Sequence, residues 1–196
     1  MNKRAKSNSI RIISGQWRGR RLPVLDHEGL RPTTDRVRET LFNWLMYDVS
    51  GANCLDLFAG SGALGVECLS RGAASVQFVE SNSAVANSLA KNIEALSPGE
   101  SCLKVNVARA NALEFLANTP SVKYDLVFLD PPFKSDLLPQ VINLLLENGW
   151  LNQEALVYLE QDSKQGTLEI PADWQIYRQG SRSKRLFFIH NVIGIG

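Results

Sequence analysis

The chain reads as an α/β fold: a mostly parallel sheet with helices on both faces, an antiparallel C-terminal hairpin, and a small basic β-hairpin extension at the N-terminus. Three observations predict it. From Cys54 onward, apolar strand-like runs alternate with amphipathic helical stretches through short links, the pattern of a parallel sheet. After Glu160 the alternation stops and two strand-like runs follow one another. Before Arg31, an alternating run broken by a glycine turn carries arginine at its polar positions. With 196 residues, 44% of them hydrophobic, the chain can bury the core of one ordinary domain. The expected division is an extension over 1–33 and a main domain over 34–196.

In order, residues 9–25 predict the first hairpin. Ile10, Ile12 and Ile13 precede Ser14-Gly15-Gln16, and Leu22, Val24 and Leu25 follow Arg20-Arg21. Arg31-Pro32-Thr33-Thr34 then leads into a helix whose Val37, Leu41, Phe42 and Leu45 share one face, with Thr33 or Thr34 as its N-cap. Strands are expected at 53–57, 75–79, 102–107, 124–129 and 155–160, and helices at 62–71, 83–96, 111–117 and 136–148. Gln175-Ile176-Tyr177-Arg178 and Arg185-Leu186-Phe187-Phe188-Ile189 are the closing strands, joined by Gly180-Ser181-Arg182-Ser183-Lys184. A terminal hairpin makes the sheet mixed.

The net charge of +1 is unevenly placed: residues 1–40 carry +6 and the remainder −5. A basic arm on a mildly acidic body suits a polyanionic partner. Cys54, Cys68 and Cys102 lie in or beside apolar segments without C-x-x-C spacing, so they read as buried residues of a reducing compartment, not as a disulfide set or zinc site. No apolar stretch approaches the ~18 residues of a membrane span. The expectation is a cytoplasmic protein with no membrane segment and no metal.

Leu55-Asp56-Leu57-Phe58-Ala59-Gly60-Ser61-Gly62-Ala63-Leu64-Gly65 is a strand, a glycine turn and a helix start. Gly60, Gly62 and Gly65 form G-x-G-x-x-G, and Glu80 follows twenty residues after Gly60. That spacing also fits a nicotinamide dinucleotide site. Asp56 decides between the two. A carboxylate there repels a pyrophosphate and favours the ammonium group of S-adenosyl-L-methionine. Asp56, Phe58, Gly60, Gly62 and Glu80 are therefore the candidate cofactor residues, with Glu80 placed to accept the ribose hydroxyls. Asn111, after the third strand, suits a helix N-cap.

Asp130-Pro131-Pro132-Phe133 ends the apolar run 124–129. An exocyclic amine on a nucleobase is a poor nucleophile, and a carboxylate of pKa ~3.9 cannot deprotonate it. A pair of fixed acceptors can hold its N–H bonds and stabilise the positive charge that develops on nitrogen. Asp130 supplies one acceptor and the Pro131 carbonyl the other. The prolines hold the preceding backbone extended and add no competing N–H. Phe133 is placed to stack on the base.

With these motifs, the chain resembles the class I S-adenosylmethionine-dependent methyltransferases, which have a Rossmann-like sheet. Within them it is similar to the bacterial 16S rRNA guanine-N2 methyltransferase family, RsmD. The more specific signals are Arg11-Ile12-Ile13-Ser14-Gly15-Gln16-Trp17-Arg18-Gly19-Arg20 and Arg31-Pro32-Thr33-Thr34-Asp35-Arg36-Val37-Arg38-Glu39-Thr40-Leu41-Phe42-Asn43. The resemblance implies a seven-strand sheet with a reversed terminal hairpin. At Asn111 it equally implies a contact with the cofactor's adenine, where the superfamily often has Asp. It also implies methyl transfer to the N2 amine of one guanine of 16S rRNA in an assembled or nearly assembled small ribosomal subunit, by an expected monomer. Arg11, Arg18, Arg20, Arg21, Arg36 and Arg38 would cradle phosphates around a flipped-out base, with Arg182, Lys184 and Arg185 on the far side. Trp17 suits base stacking or hairpin packing equally. His27 and His190 receive no function. The rival readings are an N6-adenine DNA methyltransferase, an NAD-dependent oxidoreductase and a non-catalytic ribosome-assembly RNA-binding protein.

Overall fold

The computed structural model describes residues 9–25, 35–98, 104–132, 136–164, 168–182 and 185–193. Two short strands, β1 (Ser9–Arg11) and β2 (Arg21–Pro23), form the N-terminal antiparallel hairpin. Helix α1 (Asp35–Trp44) follows. Then come β3 (Asn53–Asp56), α2 (Ala63–Ser70), β4 (Ser75–Val79), α3 (Ser83–Leu96), β5 (Lys104–Ala108), α4 (Ala112–Leu116), β6 (Tyr124–Leu129) and α5 (Leu138–Glu147). The chain closes with β7 (Leu151–Asp162), β8 (Trp174–Arg182) and β9 (Arg185–Val192). The expected N-cap at Thr33 or Thr34 lies outside the described residues.

The main sheet has seven strands in the order β5-β4-β3-β6-β7-β9-β8. Strands β3 to β7 pair in parallel, and β9 runs antiparallel to both neighbours. The mixed sheet and reversed hairpin match the sequence expectation. β7 is longer than expected, because Leu151 already pairs with Tyr124 before a register shift. Glu154 has φ 63° in that irregular stretch. The polar run Asn152-Gln153-Glu154 interrupts the apolar signal there, so periodicity alone starts the strand too late.

Two cores flank the sheet. One joins Leu41 and Phe42 of α1, Leu45 just after it, Leu64 and Leu69 of α2 and Leu89 and Ile93 of α3 to Phe78, Phe128 and Tyr158 of the sheet. The other joins Leu116 of α4 and Val141, Ile142 and Leu145 of α5 to Leu55, Val127 and Leu159. The alternation of Phe128 and Val127 between them is the period of two expected of strands covered on both faces.

The N-terminal hairpin shares the first core through Ile12, Trp17 and Leu22, so Trp17 is a packing residue here. Polar groups of α2 fasten it. The Glu67 carboxylate accepts the N–H groups of Ile13 (2.8 Å) and Ser14 (2.9 Å) and an ion pair from Arg71 (2.8 Å). The Ser70 hydroxyl accepts from Trp17 N–H and donates to the Ser14 carbonyl. Gly15, at φ +80°, passes so close that a Cβ would lie 1.8 Å from the Ser70 carbonyl oxygen. Glycine is therefore required for this docking.

Candidate active site

The site is assembled by sheet register. From β3 the chain crosses to β4 and β5 on one side, then returns to β6 on the other. The carboxyl ends of β3 and β6 thus border the crevice at the topological switch point, where ligands bind in open α/β sheets. Asp56 pairs with Phe78 on one side and Phe128 on the other. Two residues further along each strand stand Phe58, Glu80 and Asp130. Residues 56, 58, 80 and 130, far apart in sequence, are brought to one edge. Asn111 joins them from the end of β5, whose Ala108 carbonyl accepts the Glu80 N–H at 3.0 Å.

The turn after β3 is tied to the neighbouring strands. Leu57 N–H donates to the Phe128 carbonyl, and Ala59 N–H to that of Val79. Gly60 (φ 50°) and Gly62 (φ 78°) adopt left-handed geometry, and Gly62 is the N-cap of α2. Gly65 acts through packing instead, since a Cβ there would lie 2.2 Å from the Phe78 ring. Its bare backbone lets α2 close onto β4, leaving the turn and helix N-terminus to face a ligand.

Asp56 is 3% exposed, and its Oδ2 accepts the Gly65 N–H at 3.0 Å. It therefore also serves the first turn of α2. Burial pushes its carboxyl up to about 7, against the lowering effect of the Gly65 bond and reinforced by the nearby Glu80 charge. One backbone donor leaves this buried carboxylate undercompensated, and a cation in the crevice would relieve it. Glu80 is half-buried and held at both oxygens: Oε2 accepts Gly60 N–H (2.9 Å) and Oε1 accepts Asn82 N–H (2.7 Å). These bonds orient it and link the glycine turn to Asn82, the N-cap of α3. Asn111 is the N-cap of α4, its Oδ1 accepting Leu113 N–H at 2.9 Å. The side chain is exposed and retains its amide hydrogens.

Asp130 is half-buried, Pro131 buried and Pro132 exposed. Phe133 lies outside the described residues. Among the described residues there is no group of three or more His, Cys, Asp or Glu arranged to hold a metal. None of their helices is long and apolar enough to cross a membrane.

The basic residues separate into two kinds. Arg38 is buried at 1% exposure, donating through Nη2 to Asp35 Oδ1 (2.7 Å) and to the Arg11 carbonyl (2.9 Å). It cannot cradle a phosphate, and this corrects the sequence expectation. Arg20 is exposed yet already engaged. Its two Nη atoms donate to the carbonyls of Leu96 and Ala95, both at 2.7 Å, capping the C-terminus of α3. Because α3 runs from the end of β4 back to the start of β5, that terminus lies at the amino edge of the sheet, opposite the crevice. Arg11, Arg18, Arg21 and Arg36 are exposed, with Arg21 donating to the Ser9 hydroxyl. Lys184 and the side chains of Arg182 and Arg185 lie outside the described residues.

Glu67, Ser70 and Glu160 belong to no motif, and sequence reasoning passes over them. The first has a usable signal, since an acid in a helix buried at every position must be bonded. Glu160 is 2% exposed and accepts the Tyr158 hydroxyl at 3.0 Å.

Residues 10–190 match the family model described as "Conserved hypothetical protein 95". The chain is 52% identical over 173 residues to the "Ribosomal RNA small subunit methyltransferase D" of Escherichia coli strain K12, covering 88% of this chain and 85% of that one. The Haemophilus influenzae protein of the same name is 48% identical over 184 residues, covering 91% and 93%. The solved Escherichia coli protein yhhF superposes with a TM-score of 0.86 at 46% identity, covering 95% of this chain and 99% of that one. A family match across nearly the whole chain, relatives near half identity and a shared fold agree with the crevice geometry: the chain belongs to the ribosomal RNA small subunit methyltransferase D family.

Proposed function

We propose that the protein transfers a methyl group from S-adenosyl-L-methionine to the exocyclic N2 amine of one guanine of 16S rRNA in the small ribosomal subunit. The observation that carries the reading is the convergence of a buried, undercompensated carboxylate, a bare glycine turn and the Asp130-Pro131-Pro132 segment on one crevice. Family membership supports it, as does the name its relatives bear.

When bound, S-adenosyl-L-methionine supplies an electrophilic methyl group on a sulfonium that needs no metal. Asp56 would face its ammonium group, and the glycine turn would admit it against backbone. Glu80, already oriented by Gly60 and Asn82, retains lone pairs for ribose hydroxyls. Asn111, engaged as a cap, would contact the adenine through what remains of its amide. Asp130 and the Pro131 carbonyl would hold the guanine amine so that its lone pair meets the methyl carbon in line. As the C–N bond formed and the methyl–sulfur bond broke to leave a neutral thioether, positive charge would grow on nitrogen and the same acceptors would stabilise it. The substrate proton leaves afterwards, when the alkylated amine is strongly acidic.

A dinucleotide cofactor is disfavoured by Asp56, whose burial beside Glu80 would set two carboxylates against a pyrophosphate. The deciding experiment incubates the protein with radiolabelled S-adenosyl-L-methionine and undermethylated small subunits, then maps the label. Label on the N2 amine of a single 16S guanine is the expected result. Label on an adenine, on protein or nowhere would overturn the proposal.

A further inference from the structure

The C-terminal hairpin has a chemical character that the cofactor and amine sites do not use. From Trp174 to His190 the sequence contains Arg178, Arg182, Lys184 and Arg185 and no Asp or Glu. Strand β8 is the outermost strand of the sheet, bonded only to β9. Its register with β9 shifts between Ile176 and Arg178, so Tyr177 is an extra residue of a bulge. Bulges at an edge re-aim side chains and discourage further strand pairing. Tyr177 is exposed, and the Arg178 guanidinium lies over its ring at 4.3 Å from the centroid. A guanidinium over a tyrosine ring is itself a flat group on which a base can stack.

The loop after α1 extends this surface. Tyr47 is 87% exposed, far more than a tyrosine that packs. The loop is held beside β8 by Trp44, whose ring packs on Phe187 at 5.6 Å. Gly180 makes room: a Cβ there would lie 2.6 Å from the Phe187 ring and 3.1 Å from Trp44. Asp48 is close enough to Arg178 for the guanidinium to oppose the effect of burial on its carboxyl. The Arg178 Nη1 also donates to the Tyr177 carbonyl at 2.8 Å, which fixes the guanidinium beside that residue.

Register gives the distance to the crevice. Arg178 pairs with Ile189, Ile189 with Tyr158 and Tyr158 with Phe128. Arg178 is thus level with Phe128, two residues short of Asp130 and three strand spacings away, or about 16 Å from ~4.8 Å per spacing and ~3.3 Å per residue. The strand continues to Arg182, beyond that level on the crevice side. A few nucleotides of single strand span such a distance.

We propose that Tyr47, Tyr177 and Arg178 form a stacking platform for the single-stranded rRNA flanking the target guanine. The proposal rests on the function assigned above and adds a surface to it. RNA is favoured over a ribosomal protein because the hairpin carries four cations and no acid, against Asp48 on the neighbouring loop, and exposed tyrosines stand beside them. From Tyr177 and Arg178 strand β8 runs on toward the carboxyl end of the sheet, where the crevice lies, whereas Arg20 on the first hairpin bonds the end of α3 at the opposite edge.

The test compares wild type, Tyr47→Ala/Tyr177→Ala, Tyr47→Phe/Tyr177→Phe and Arg178→Ala, using protein-free 16S rRNA and undermethylated small subunits as probes. All three positions are exposed, and thermal melts with S-adenosyl-L-methionine titrations verify the fold. The double alanine variant should bind free rRNA about tenfold or more weakly, given ~1–3 kcal/mol per stacked base. The phenylalanine pair should stay within about twofold of wild type, because stacking needs only the ring. KM for subunits should rise with kcat at saturation unchanged. Equal affinity of the alanine variants for both probes would overturn the platform, as would a wild type that does not bind free rRNA. Weakening on subunits alone would overturn it too, because the partner would then be a protein. A wild type that binds free rRNA but methylates no guanine would sink the assigned function and leave the platform measurement standing.

Discussion

Replacing Asp56 with Asn should make the ligand-free protein more stable at neutral and alkaline pH, and this gain should vanish in acid. The carboxyl moves from an ordinary 3.8 to about 7 on folding. A raised carboxyl penalises the ionised folded form, so stability is lost as pH rises from 3.8 through about 7 and regained as pH falls. At ~1.4 kcal/mol per unit, the penalty is about 4 kcal/mol near pH 8 and under about 2 kcal/mol near pH 5. Asn keeps an oxygen for the Gly65 N–H but carries no charge. The stability difference between variant and wild type should therefore shrink by about 2.5 kcal/mol over that range, or roughly 5–10 °C in Tm for a chain of this size. Comparing melts of both proteins at the two pH values cancels the titration of every other group. The cofactor should show the opposite pattern. If its ammonium meets Asp56, wild-type affinity falls by up to roughly 100-fold between pH 8 and 5, because binding must expel a proton. The variant should bind weakly and without that pH dependence. Parallel melting curves would refute the burial argument, and equal pH-independent affinity in both proteins would reduce Asp56 to a support for α2.

Asp130→Ala should lower kcat by about 10²–10³ with S-adenosyl-L-methionine affinity preserved; near wild-type turnover would remove Asp130 from the amine site. Arg18→Ala with Arg21→Ala should flatten the log–log salt slope of rRNA binding by about 1.4, at ~0.7 per single-strand phosphate contact, and parallel lines would mean these side chains are only solvated. Arg20→Ala should leave that slope unchanged and lower stability by about 1 kcal/mol through loss of the α3 cap, read by denaturant melts. Gly65→Ala should cost about 1–3 kcal/mol by forcing a methyl into the Phe78 ring, and an unchanged melt would show that α2 can retreat from β4 freely.

What could be read from the chain alone was whatever is written in local order. Helix α3 and strands β4 and β6 occupy the expected residues, because their apolar periods are unbroken and their ends carry turn or cap residues. The glycine turn and the Asp-Pro-Pro segment were legible because their backbone chemistry is intrinsic to glycine and proline. The fate of the polar groups was not legible. Arg18, Arg20 and Arg38 look alike in sequence, yet the first two are exposed, of which Arg20 caps a helix 75 residues away, and the third is buried. Nor could sequence show that Glu80 would be held by Gly60 and Asn82, or that Glu67 would fasten the first hairpin. A charge is assigned its role by the low-dielectric surroundings and backbone donors that long-range packing brings to it, and register across the sheet is what places residues 56, 80 and 130 at one crevice.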